Sequence, residues 1–277
     1  MPDASANARR FVHHLVCLGL AVLLAAPAAA QKAPRVVLII DDLGQDLAAG
    51  ERVTALPGPV ACAFLPARPH VNQLARQCHE HGKEVLLHQP LQAAAANDLG
   101  PGGITLDMSH GEVLRVMREN LAGIPHVSGM NTHMGSLLTR HPGHMAWVIE
   151  GLEHNLPDGF FVDSVTTPRS VGRRMAAEAG IPHARRHIFL DPVADSEVIK
   201  RQFQAWLAHA RRDGLAIAIG HPYPETLALL ERELPRLADK HGVTLVSVRA
   251  ALVRQQEEGP WPASLSPLPP AVKSSKP

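Results

Sequence analysis

Aromatic residues make up only 4% of this 277-residue chain and include a single tyrosine, so neither a stacking platform for bases nor a broad aromatic sugar cleft is expected. An excess of one charge is also missing. The formal net charge is +1, without the basic surplus of a general nucleic-acid binder, and nucleic acid is excluded as a partner. Cysteine is rare, with three residues, and beyond residue 30 no apolar run is long enough to cross a bilayer. What the chain does have is 45% hydrophobic residues, ample for one sizeable core, and 17 histidines, an abundance that by itself assigns nothing.

The two ends read differently from the middle. Arg9-Arg10, an apolar run from Phe11 to Ala26 and Ala28-Ala29-Ala30 form a secretory leader over residues 1–30, with cleavage expected after Ala30. The mature protein is therefore expected in the periplasm or outside the cell, with no stable membrane insertion once the leader is gone. Residues 257–277 are rich in Pro, Ser and Ala, lack periodicity and read as a disordered tail. Cys17 leaves with the leader. An oxidising compartment permits a bridge between the remaining Cys62 and Cys78, but one lies in an apolar strand and the other on the next helix. Ordinary buried thiols are the expectation there. Oligomeric state is left open.

Between the ends, residues 34–256 alternate strand and helix seven or eight times. Strands are read at 35–40, 59–65, 83–88, 127–131, 159–163, 187–191, 215–219 and 243–248. Most are apolar throughout, as in a parallel sheet covered on both faces. Ser109 and Glu112 form a capping box for one helix, and Ile199, Phe203, Trp206 and Ala210 make the buried stripe of another. The pattern predicts an α/β fold, a distorted (β/α)7-8 barrel.

The polar residues that matter share one location. Asp41-Asp42, His88, Asn131 with His133, Asp163-Ser164, Asp191 and His221 each fall at or just past a strand's carboxyl end, where parallel α/β folds bind ligands. An apolar strand running into paired carboxylates needs a partner for them, a metal or hydrogen-bond donors. Two readings of Asp41-Asp42 are open on their own: a metal site with an acid–base group beside it, or a helix cap. The later histidines favour the metal, since one carboxylate and two imidazoles are a common set for a catalytic zinc-like ion with an open position. Asp191 precedes Pro192 and is read as structural, closing a turn or pairing Arg185 or Arg186. His79, His81, His141, His144 and His209 are read as surface residues.

In order, IIDDLG, ACAFLP, EVLLHQPLQ, NTHMGS, FFVDS, FLD and AIGHPYPET resemble the divergent polysaccharide deacetylases, relatives of the NodB-like, carbohydrate esterase 4-related superfamily. The resemblance spans residues 34–253 and implies the distorted barrel named above. By it, Asp41 is the general base, Asp42 and His88 are metal ligands, and His221 is the general acid. Two departures stand out. Gln92 occupies the place of the superfamily's second ligand histidine, and NTHMGS stands where an arginine–proline motif is usual. His133 is therefore inferred as the third ligand. Asn131 or Asp163 would orient Asp41 in place of the missing arginine, Asp163 otherwise capping the turn through Ser164. Substrate contacts are assigned to Asn131, Ser136 and Ser164.

The implied chemistry is metal-dependent hydrolysis of an N- or O-acetyl group on an envelope glycan such as peptidoglycan, with Zn2+ as the expected cofactor. Two alternatives belong to other classes. One is a weak or inactive barrel that binds glycan or a partner protein, motivated by the departures just described. The other is a metal-dependent amidase.

Overall fold

The structure, a computed structural model, describes residues 33–96 and 98–257. The expected leader and nearly all of the expected tail lie outside them. Among the described residues no helix is long and apolar enough to cross a membrane.

The centre of the fold is β1 (Arg35–Leu43), whose residues from Val36 to Asp41 are all buried. It continues three residues past the expected Ile40, so both aspartates lie within the strand. Beside it run β2 (Ala61–Phe64), β3 (Val85–Leu91), β4 (Val127–Met134), β5 (Phe160–Asp163) and β6 (His183–Arg185) on one side, with β8 (Leu215–Gly220) and then β7 (Ile188–Phe189) on the other. Every pairing is parallel. The order β6-β5-β4-β3-β2-β1-β8-β7 curls the sheet into an open half-barrel, because its terminal strands β6 and β7 do not pair. A short β9 (Thr244–Leu245) pairs with the start of β1, where β2 does not reach.

The connections are helical: α1 (Leu47–Ala55), α2 (Val71–Glu80), α3 (His110–Ala122), α4 (Pro142–Asn155), α5 (Gly172–Glu178), α6 (Ser196–Asp213), α7 (Pro224–Glu233) and α8 (Leu237–His241). The expected capping box forms at α3, where Glu112 accepts from both the backbone N–H and the hydroxyl of Ser109 at 2.7 Å. Ile199, Phe203, Trp206 and Ala210 are the buried stripe of α6.

Alternation along the strands produces two cores. Val36, Leu38 and Ile40 face the helical layer, together with Cys62, Phe64, Phe161 and Trp206. Val37, Ile39, Leu86, Phe160, Val162, Ile217 and Ile219 face the concave side, which α9 (Val248–Glu257) plugs with Val248, Ala251 and Leu252. Glu84 holds this plug in place by accepting from the N–H groups of Val248 and Arg249 at 2.6 and 2.9 Å, a side-chain cap on the first turn of α9.

Three expectations change here. Cys62 and Cys78 are joined in a disulfide, not left as separate thiols; both face the outer core, where α2 brings Cys78 over Cys62 with Cα atoms 6.7 Å apart. The strand read at 187–191 is confined to Ile188–Phe189, and β6, which was not expected, precedes it. The residues 169–179 also read as a helix from sequence, but α5 begins only at Gly172, because the segment before it is a loop organised by Asp163.

Candidate metal centre and acid–base groups

Strict alternation would send Asp41 to the concave face and Asp42 to the opposite one. Asp41 follows Val37 and Ile39 inward. Asp42 departs from the pattern, with a left-handed φ of 57° and a break in the β1–β2 register between Ile40 and Leu43. Such a bulge re-aims a side chain. Both carboxylates consequently stand beside one imidazole: His88 Nε2 lies 3.5 Å from Asp41 Oδ2 and 3.3 Å from Asp42 Oδ1.

The β3–β4 register supplies the remaining donors. His88 pairs with Asn131 and Pro90 with His133, so Asn131 and His133 follow each other on the same face, two residues apart. His133 Nδ1 lies 3.0 Å from Asp42 Oδ1 and 3.1 Å from His88 Nε2. Donor atoms of a tetrahedral site with bonds of about 2.0–2.1 Å sit about 3.3 Å apart. The Asp42–His88–His133 set matches that spacing, and Asp42 Oδ1 is buried without accepting a hydrogen bond. An orphaned carboxylate oxygen between two imidazole nitrogens is what a cation site leaves when only protein atoms are considered. The donors fit a divalent ion of the zinc type.

Asn131 ties this set to its neighbour. Its Oδ1 accepts from His88 Nδ1 at 2.8 Å, and its Nδ2 donates to Asp41 Oδ1 at 2.7 Å. With Nδ1 carrying the proton, His88 presents the Nε2 lone pair to the site. One buried amide thus sets the tautomer of a candidate ligand and the orientation of the adjacent carboxylate.

On the other side stands His221, at the end of β8. Asp191 Oδ1 lies 2.9 Å from its Nδ1, while Asp191 Oδ2 accepts from the His221 backbone N–H and from Thr226 Oγ1, both at 2.7 Å. Its Nε2 faces Asp42 Oδ2 at 3.7 Å. Burial works against the charged imidazole, but the bond to Asp191 and the carboxylates of Asp41 and Asp42 push its pKa up to about 9. The two aspartates diverge. Burial raises the pKa of Asp41 despite His88, His221 and Asn131. Burial also acts to raise that of Asp42, yet His133 and His88 hold it well below the usual carboxylate range.

The structure brings together Asp41, Asp42, His88, Asn131, His133 and His221, and leaves three expected residues out. Asp163 follows Phe161 onto the outer face. Its carboxylate accepts from Ser170 Oγ and from the N–H groups of Val165 and Arg173, organising the turn and the start of α5; it does not touch Asp41. Ser164 is buried and accepts from Thr132 N–H, and Ser136 accepts from Ala94 N–H, so both hydroxyls serve the backbone. Gln92, in the place of the absent histidine, accepts from Leu106 N–H at 2.8 Å and fixes a loop.

Sequence reasoning missed Asp191. It pairs with neither Arg185 nor Arg186 but with His221; its place at a strand end was the available signal, and the following proline drew it toward a turn. Arg186, read only as a candidate partner of Asp191, has other work. It bridges the open seam, donating to the carbonyls of Ser164 and Val165 at 2.6 and 2.9 Å while stacking on Phe189, 4.8 Å from the ring centre.

A family model described as divergent polysaccharide deacetylase matches residues 38–252. The chain is 34% identical to an uncharacterized protein of Haemophilus influenzae over 205 residues, which cover 74% of this chain and 72% of that one. It is 32% identical to the uncharacterized protein YibQ of Escherichia coli over 253 residues, 91% of this chain and 77% of that one. Among solved structures, the uncharacterized protein ATU2773 from Agrobacterium tumefaciens superposes with a TM-score of 0.74 at 20% identity, over 79% of this chain and 89% of that chain, and so shares the fold.

Proposed function

Because the chain belongs to the divergent polysaccharide deacetylase family, we propose that it is a metal-dependent hydrolase removing acetyl groups from an N- or O-acetylated envelope polysaccharide, exported by the leader over residues 1–30. The observation that carries this is the Asp42–His88–His133 donor set flanked by two further titratable groups, Asp41 and His221. Asp42, His88 and His133 would hold the ion, for which Zn2+ is the candidate. A divalent ion there supplies Lewis acidity, polarising an acetyl carbonyl and acidifying a water.

The remaining work falls to the chain. Asp41, buried and steadied by Asn131, takes the proton of the attacking water at Oδ2, since Oδ1 is occupied by the amide. His221, held protonated by Asp191, delivers a proton from Nε2 to the departing amine or alkoxide. Asp191 also accepts from the backbone N–H of His221, which fixes the carboxylate that holds the imidazole at Nδ1. The pair resembles other acid–base sites in which neighbouring carboxyl environments push pKa values apart.

The test is acetate release by Zn2+-loaded protein from N-acetylated chitooligosaccharide and from peptidoglycan, with Asp41→Asn alongside. Release by wild type and its loss in a variant that keeps its metal support the reading. A wild type that holds zinc stoichiometrically and releases no acetate from either glycan overturns it and favours a barrel that only binds.

A further inference from the structure

Three large hydrophobic residues are exposed among the described residues, Val193, Tyr223 and Val253, and one of them, Tyr223, stands beside His221. Val193 follows Asp191 by two positions, and Tyr223 follows His221 by two. Tyr223 is 40% exposed, in a chain that has no other tyrosine. Its ring centre lies 5.5 Å from that of His221 at an interplanar angle of 34°. Phe189 stands beside the same imidazole at 5.4 Å, with the Arg186 guanidinium beyond it. Tyr223, His221, Phe189 and Arg186 thus form a row of planar groups along one edge of the centre.

Nothing in the local structure requires an aromatic ring at Tyr223. It is the N-cap residue of α7 but makes no side-chain cap bond, and its backbone is extended, with φ −67° and ψ 144°. Pro222 and Pro224 enclose it, and a residue before proline is already confined to extended conformations. The ring is therefore displayed on a stiff support, which lowers the entropy lost when something settles on it. Leaving such a ring in water beside a reactive histidine forgoes burial that the core could have used.

We propose that Tyr223 is the stacking platform for the sugar ring that carries the leaving amine or alkoxide, and so a specificity-determining residue for pyranose substrates. This rests on the deacetylase reading above. The group protonated by His221 is covalently attached to that sugar, so the sugar lies within one ring's width of the imidazole whatever the rest of the glycan is. A pyranose has one face of C–H groups, and an exposed tyrosine offers it a rigid apolar surface with a polar tip in water.

The sole tyrosine makes the test direct. Full-length, Zn2+-loaded protein carrying ring-labelled tyrosine gives one ring signal, which is followed while N-acetylated chitooligosaccharide or soluble peptidoglycan glycan strands are added. A saturable shift with either glycan is expected; a ring signal that moves with neither overturns the proposal. Tyr223→Ala should raise KM for the glycan about tenfold while Tyr223→Phe, which keeps the stacking face, stays near wild type. Equal KM in all three proteins also overturns it. The two readings fail separately: acetate release with a silent ring removes the platform and keeps the deacetylase, whereas a shifted ring without acetate release does the reverse.

Discussion

The two ends of the concave face are made by the same strands and could hardly differ more. Toward the amino ends the inward positions are Val37, Ile39, Leu86, Phe160, Val162, Ile217 and Ile219, closed from below by α9. Toward the carboxyl ends the same columns continue as Asp41, His88, Ser164 and His221, with Asn131 and His133 on β4. Each column changes from apolar to polar within two residues. The lower half therefore acts as the foundation of the upper: close-packed side chains fix the strands, and the strands fix the donors. The buried groups Asp41 and His221 are tolerated there because neighbouring strands bring them partners, Asn131 and His88 for Asp41 and Asp191 for His221.

That contrast can be broken from either end. The largest effect is expected from the upper half. Asp41→Asn should lower kcat for acetate release about 10²- to 10⁴-fold, as loss of a general base does, while zinc content by elemental analysis stays at wild-type level. Thermal stability should not fall, because the substitution removes a buried charge and keeps the shape; a cooperative loss of Tm would show that Asp41 belongs to the foundation instead. Asn131→Ala should weaken zinc affinity about 10- to 100-fold in a competition titration, the usual consequence of losing a ligand's outer partner. Unchanged affinity would mean that His88 needs no help to present Nε2.

The lower half should behave in the opposite way. Phe160→Ala should cost about 3–5 kcal/mol of folding stability in a denaturant titration, while the fraction still folded binds zinc normally. A smaller loss is expected for Glu84→Gln at the cap of α9, about 0.5–2 kcal/mol, with no change in zinc affinity. The gentlest probe is pH. In metal-free protein His221 is raised to about 9, so its protonated form stabilises the fold fully below its ordinary value of 6.5, and that contribution disappears as pH rises through about 9. A histidine NMR titration of His221 should show this midpoint, and Asp191→Asn should lower it. A midpoint near 6.5 in the parent protein would remove Asp191 from the role assigned to it.

Much of this arrangement was legible in the sequence, and the exceptions share a cause. Strand and helix order followed from apolar runs, and Asp42, His88 and His133 could be joined because parallel strands deliver their ends to one rim. Parity was not legible. In Phe160–Asp163 both faces are buried, so alternation leaves no trace in the residue types and does not decide whether Asp163 orients Asp41 or caps the turn through Ser164, the second of which it does. The bulge at Asp42 was invisible for a related reason, since a left-handed φ at an aspartate has no signature of its own. Asp191 and the Cys62–Cys78 bridge depend on which distant segment lies opposite, a fact of packing rather than of pattern. Asn131 was legible as one of two candidates to orient Asp41, and it does so, but that the same amide also accepts from His88 was not.

The bulge on β1 has one more consequence. Asp41 and Asp42 are consecutive, so their Cα atoms are separated by a single trans peptide, about 3.8 Å, which no domain movement can stretch. The proposed base and the proposed ligand are spaced by covalent geometry, whereas His133 and His221 reach the centre from other strands and depend on the sheet's curvature for their distance. If the open seam between β6 and β7 flexes, the histidines travel and the aspartates do not. The carboxylate pair is the fixed jaw of a vice, and any adaptation to substrates of different girth belongs to the imidazoles opposite.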